Sequence, residues 1–375
     1  MEEKTLQEER EIFCSECSER LTEHNTVEFG GNKMCLDCYE RLTVTCEHCG
    51  ERIWNSDSVR DNDLVICIEC YDDHYTRCES CNRILHFEEA CYEGDSDSPY
   101  CEHCFDERRS RPIKPYNYKP EPIFFGSGNL FMGIEIEIDK GGEVYDNAED
   151  IMDIANSNGR HIYCKHDGSI DDGFEMVSHP MTLDYHTNTM NWKDVFAQAV
   201  EMGYRSHQTN TCGLHIHVNR NAFGDSYSLQ EEVISRIVYF VENHWNEFVK
   251  FSRRTEYNLA RWANRYGIMT TAKETYKSAK DKHCGRYVAV NLNNDHTIEF
   301  RMFRGTLNHN TFVATLQLVD EICNLAIQHD DKYVETLPWS EFVASIDAEK
   351  KPELIEYLKE KRLYVNDVSS EREEM

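Results

Sequence analysis

Hydrophobic and polar residues alternate one for one in several short stretches of the second two-thirds of this chain. In GIEIEIDK (133–140), Ile134, Ile136 and Ile138 fall on one side of an extended backbone and Glu135, Glu137 and Asp139 on the other. CGLHIHV separates Leu214, Ile216 and Val218 from His215 and His217, TIEFRMFRGT groups Glu299, Arg301 and Phe303, and GFEMVSHP sets Glu175 beside Met176 and Val177. KHDGSI adds Lys165, His166 and Asp167 next to a turn at Gly168. The pattern predicts strands near 131–139, 160–165, 173–178, 213–219, 286–292 and 297–303. Apolar residues spaced by three or four predict helices over 146–157, 190–202, 229–251 and 311–328, with Val233, Ile237, Val241, Trp245 and Phe248 forming one core-facing stripe. Strands and helices in this order make an α+β layer domain.

The first 110 residues carry a different repeat. C-x2-C pairs stand at Cys14/Cys17, Cys35/Cys38, Cys46/Cys49, Cys67/Cys70, Cys78/Cys81 and Cys101/Cys104, twelve of the 17 cysteines, and recur every 32 to 34 residues. Two such pairs complete one tetrahedral thiolate set, so the spacing predicts three small modules (about 12–42, 44–74 and 76–108), each holding a structural Zn²⁺. They resemble zinc ribbons or halves of a LIM-like module, although seven residues separate successive units where a LIM domain has two. Units this small need such a staple to fold. RPIKPYNYKPEP holds four of the eight prolines and predicts an extended linker over 111–122, followed by a domain over 123–368 and a disordered tail over 369–375.

Charge narrows the partners. The chain is formally -29, and residues 1–110 contain 28 acids against 11 bases. Such a surface repels polyanions, which excludes nucleic acid as a first expectation and makes the cysteine array a protein-docking module. No run of 18 apolar residues exists, and the N-terminus MEEKTLQEER is charged where an export signal needs an apolar stretch. The expectation is a soluble protein of the cytoplasm that contacts no membrane.

The acids on the strands have two readings. Any one strand fits a sheet with a solvated face. Together, Glu135, Glu137, Glu175 and Glu299 bring to one face the hard oxygen ligands that Mg²⁺ takes, with His215 and the fixed cation Arg301 among them. Carboxylates in that number repel one another, and a cation cluster relieves them. Strict alternation puts Arg304 opposite Arg301. Arg286 and Asn291 in GRYVAVNL suit a nucleotide or substrate, or an ordinary surface strand. Cys164, Cys212, Cys284 and Cys323 raise a thiol nucleophile, with packing cysteines as the plainer reading.

G-x-E-x-E, D-G-S before E-x-x-S, G-x-H-x-H and E-x-R, in this order, resemble the carboxylate–amine ligases that include glutamine synthetase and glutamate–cysteine ligase. Among these the chain is most similar to the amidoligase family, many of whose members are phage-encoded, over Ile123 to about Gln328. The resemblance implies a glutamine synthetase-like antiparallel or mixed sheet backed by helices. It also implies an ATP-dependent, ADP-forming reaction in which a carboxylate is phosphorylated and an amine attacks the acyl phosphate. It implies that Glu135, Glu137, Glu175 and Glu299 hold Mg²⁺, that His215 lies near the phosphates, and that Arg301 neutralises the moving group. Lys165, Arg286, Asn291 and Arg304 are the candidates for cofactor contacts. A phage-encoded member would work in the host cytoplasm. Glutamine synthetases have H-x-N where this chain has H-x-H, which leaves His217 without an assigned role. An H-x-H metal-dependent hydrolase and an inactive zinc-array adaptor are the alternatives, and the carboxylate and amine substrates stay open.

Overall fold

The alternating stretches pair into one sheet. The computed structural model describes residues 11–61, 64–92, 97–209, 211–281 and 285–365. The tail expected to be disordered and Cys284 lie outside these residues. The chain divides into two compact units, Met1–Ser110 and Arg111–Met375.

Unit Arg111–Met375 is built on seven strands: β1 (Ile113–Lys114), β2 (Met132–Ile138), β3 (Ile162–Lys165), β4 (Phe174–Ser178), β5 (Gly213–Asn219), β6 (Val290–Asn291) and β7 (Thr297–Arg304). Their order across the sheet is β6-β7-β5-β2-β4-β3-β1, and only the β1–β3 pairing is parallel. The sheet is therefore mixed, in an α+β unit. Ile134, Ile136 and Ile138 are fully buried, with Leu214, Ile216, Phe174 and Phe300 among the residues of the same core cluster. Helices Trp192–Glu201, Tyr227–Asn243 and His309–Gln328 contribute Val195, Ile237 and Leu318 to it.

Three expectations change. The stripe expected to run through 229–251 is interrupted at His244, which ends helix Tyr227–Asn243 and starts helix Trp245–Ser252. His244 Nε2 instead bonds the Leu337 carbonyl at 3.1 Å. The strand expected at 286–292 contracts to Val290–Asn291. The proline-rich run is not extended linker throughout, because Ile113 and Lys114 pair with Cys164 and Lys165 as the edge strand. A proline cannot donate to a ladder, and an edge tolerates that.

In unit Met1–Ser110 each first cysteine pair sits in a tight turn, and each second pair enters the N-terminus of a short helix. Cys35 and Cys38 flank the start of Leu36–Leu42, Cys67 and Cys70 that of Ile68–His74, and Cys101 and Cys104 that of Glu102–Ser110. The modules thus differ from zinc ribbons by this helix. It also fills the seven-residue spacing: Leu36–Leu42 runs straight into strand Thr43–Thr45, which pairs with Arg52–Trp54 around the Cys46/Cys49 turn. The first module packs little more than Leu21, Met34, Tyr39, Leu42 and Trp54 around its cysteines.

Candidate functional site

Register brings the predicted side chains together. Glu137 is opposite Glu175, which is opposite Lys165; Glu135 is opposite His215; His217 is opposite Glu299, which is opposite Asn291. These rungs form one polar patch across six strands. It is no solvated face: Glu137, Glu175, His215 and Glu299 are 4%, 2%, 6% and 3% exposed. Burying that many ionisable groups demands partners.

Ionisable side chains make most of the contacts. His215 Nδ1 lies 3.2 Å from Glu135 Oε2 and 3.8 Å from Glu299 Oε1, while its Nε2 lies 3.9 Å from Glu137 Oε1. His217 Nε2 is 3.4 Å from Glu135 Oε1, and Lys165 Nζ is 3.1 Å from Glu175 Oε2. Asn291 Nδ2 donates to Glu299 Oε2 at 2.8 Å, and Arg301 Nη1 pairs with Glu299 Oε1. Burial pushes the Glu135 carboxyl up, but His217 and His215 outweigh it and hold the group well below the usual carboxylate range. Glu299 is held low in the same way. Burial, and then the charge of Glu135, push Glu175 well above that range, and burial also raises Glu137.

Alternation fails on β7, where Leu214 pairs with Phe303 but Ile216 pairs with Phe300. Three steps on β7 oppose two on β5, a bulge of one residue. Past it, Phe303 turns into the core, away from Glu299 and Arg301 with which the pattern grouped it. Arg304, expected on the far side, returns to the face of Arg301 on the rung of Gly213.

No local pattern marks the arginine pair Arg253 and Arg254 after helix Trp245–Ser252. Arg254 donates from Nε and Nη2 to the Phe303 carbonyl at 3.3 and 3.2 Å, and burial lowers its guanidinium to about 10. It packs so close to Gly213 that a Cβ there would sit 2.7 Å from Arg254 Nη2 and 2.7 Å from His215 Nε2. Glycine at 213 is what allows this approach. The Gly213 amide in turn donates to Glu137 Oε2 at 2.5 Å.

Some candidates lie elsewhere. Arg286 is exposed and donates to Tyr116 Oη at 2.6 Å. Asp139 leaves the acid row to accept from the Lys140 and Asp172 amides, and Asp167 closes its own turn on Ser169. Cys164, Cys212 and Cys323 are buried, and burial pushes each thiol up, to about 12 for Cys212, so none is a ready thiolate.

Two groups of ligand atoms, Glu135/His215/Glu299 and Glu137/Glu175/His215, each fall within 4.8 Å of one another. No such group among the described residues contains both histidines, so the H-x-H pair is not one ligand set. The donors suit a divalent cation, and Glu175 Oε2 and His217 Nε2, though close to Lys165 and Glu135, are buried with no well-directed hydrogen bond among the described residues. In the N-terminal unit the three four-cysteine sets have their sulfurs within the same span, with Cys17–Cys35 at 3.6 Å and Cys81–Cys101 at 3.8 Å. A tetrahedron with Zn–S bonds of about 2.3 Å has edges of about 3.8 Å, so the sets fit Zn²⁺.

No helix among the described residues is long and apolar enough to cross a membrane. No curated protein matches the sequence. Among solved structures, a bifunctional glutathione synthetase from Pasteurella multocida is similar over 62% of this chain and 46% of its own, at 13% identity and a TM-score of 0.36. The match thus spans less than half the length of that enzyme. Residues 153–323, which carry Glu175, His215, Glu299 and Arg301, match the profile of a family described as "Putative amidoligase enzyme". The matched segment holds the D-G-S, E-x-x-S, G-x-H-x-H and E-x-R motifs, while the G-x-E-x-E strand lies ahead of it, so residues 153–323 are similar to that amidoligase family.

Proposed function

We propose that this chain joins a carboxylate to an amine in an ATP-dependent reaction that passes through an acyl phosphate and releases ADP and phosphate. The observation that supports it is the floor of four glutamates, Glu137, Glu175 and Glu299 buried and Glu135 half-buried, in two carboxylate–imidazole groups bordered by Lys165, Arg254, Arg301 and Arg304. Glu135 and Glu299 would hold one Mg²⁺ and Glu137 and Glu175 a second, with His215 a ligand to one of the two. Bound there, Mg²⁺ supplies charge neutralisation for phosphate oxygens.

The remaining work falls to the chain itself. Arg301, braced by Glu299, offers its unbonded Nε as a fixed donor to a transferring phosphoryl group. Arg254, anchored on the Phe303 carbonyl, presents a second cation beside Glu137. Lys165 keeps the Glu175 side compensated. Burial of the floor limits water, which protects an acyl phosphate from hydrolysis. In the N-terminal unit, sets of four thiolates leave Zn²⁺ no open position, so this metal is structural and the acidic array serves to dock a protein partner. Thiolate sites persist where thiols stay reduced, which favours the cytoplasm.

Hydroxylamine tests the reaction, because it captures acyl phosphates from any carboxylate. A screen of carboxylates with Mg·ATP and hydroxylamine should yield a hydroxamate with one ADP and one phosphate per product. AMP and pyrophosphate as products, or hydrolysis that needs no nucleotide, would overturn the proposal.

A further inference from the structure

We propose that a cavity next to the carboxylate floor is the subsite for a substrate carrying both a carboxylate and an ammonium group, an amino acid or a peptide end. The proposal rests on the ligase reading only for the fate of that substrate. The cavity measures about 430 Å³, ample for a small ligand. Arg253, Arg304 and His207 line it, and so do Glu353, Glu356 and Glu360 of helix Pro352–Glu360. Spaced by three and four, these glutamates share one face of that helix.

Its cations are kept for a ligand. Arg253 holds a left-handed backbone, with φ 63°, a conformation that costs a residue other than glycine about 1 kcal/mol or more. Its Nη2 donates to the Arg304 carbonyl at 2.6 Å, and its Nε is buried without a hydrogen-bond partner among the described residues. Neither Arg253 nor Arg304 forms an ion pair with a carboxylate among those residues. Glu356 is exposed to the solvent that fills the opening.

Position ties the cavity to the floor. Arg304 stands on the rung of Gly213, whose amide binds Glu137, and Arg253 adjoins Arg254, which packs on Gly213. Arg304 and Glu137 thus flank Gly213 from the two neighbouring strands. A diamine would leave two guanidiniums unpaired, and a simple dicarboxylate would meet three glutamates. A ligand with one charge of each sign satisfies both sets.

Calorimetric titration of the full chain, without nucleotide, tests this with the twenty amino acids and a set of dipeptides. Each binder is compared with its decarboxylated amine and its deaminated acid. An amino acid or dipeptide should bind, and each single-charge analogue should bind at least about tenfold more weakly. Glu356→Gln and Arg304→Gln should each weaken the dipolar ligand by about tenfold, with Glu356→Gln, at an exposed position, keeping the parent melting curve. Binding by free amino acids or by dipeptides alone identifies the source. Failure of all of them to bind, or binding unchanged in both variants, overturns the subsite even if hydroxamate still forms. Tight dipolar binding with no nucleotide turnover overturns the ligase reading and leaves the subsite standing.

Discussion

Gly213→Ala adds one methyl group where two buried side chains already touch the backbone. The new carbon would lie 2.7 Å from both Arg254 Nη2 and His215 Nε2, well inside van der Waals contact, so one or both must move. Moving Arg254 breaks its two bonds to the Phe303 carbonyl. Bonds from a charged donor are worth about 1.5–3 kcal/mol, and alanine returns about 0.5–1 kcal/mol through its lower backbone entropy in a strand. The net loss should be about 1–2 kcal/mol, a fall in Tm of roughly 2–8 °C for a unit of this size. The chemistry should suffer more, since a displacement of about 1 Å in a positioning group costs roughly 100-fold. Differential scanning fluorimetry with and without Mg²⁺, together with hydroxamate formation, measures both effects. A variant with the parent rate and the parent Mg²⁺-induced shift in Tm would refute the placement of Arg254 and His215 against Gly213.

Further outcomes test other parts of the molecule. Glu135→Gln keeps the side-chain shape and deletes one ligand charge, so Mg²⁺ should no longer raise the Tm, and the metal-free melt at neutral pH should fall because the charge that His217, His215 and Lys165 stabilise is gone. Metal analysis of the reduced protein should find three zinc ions per chain, and a strong chelator should abolish the melt of the N-terminal unit alone. A fragment begun at Arg111 should melt cooperatively without zinc, and one begun at Glu121 should be less stable, because it lacks the edge strand of Ile113 and Lys114. His186, fully buried, bonds the Met132 carbonyl through Nε2 and accepts from Trp192 Nε1 at Nδ1, so a second ring proton has no place, and burial lowers its pKa to about 4. Its contribution is complete above the unfolded value of about 6.5 and is lost as pH falls from there toward 4, on the order of 3 kcal/mol, a slope that His186→Gln should remove from the stability–pH curve.

Alternation made the floor legible, since Glu135, Glu137, His215 and Glu299 are forced to one face by the isoleucines and valines between them. What it could not convey was long-range. Strand order decides that Glu175 meets Glu137 while His217 meets Glu299, and no local pattern encodes it. The bulge before Phe303 moves Arg304 to the opposite face, and an apolar run such as F-R-M-F gives no sign of one extra residue. Arg253 and Arg254 look like ordinary basic residues closing a helix, and only the fold carries them to Gly213. Burial of the acids was equally hidden, because alternation looks the same whether the polar face meets water or protein.

His215 belongs to both ligand groups, and its chemistry prevents them from being equivalent. A neutral imidazole has one lone pair and one N–H. Nδ1 faces Glu135 and Glu299, and Nε2 faces Glu137. Whichever group took the lone pair for a cation would send the N–H to the other, where it could only donate to a carboxylate. The first ion to arrive would thus set the tautomer, and a second would have to enter a group of two carboxylates. Two ions bound there would form an ordered pair with unequal ligand fields, linked through a single proton.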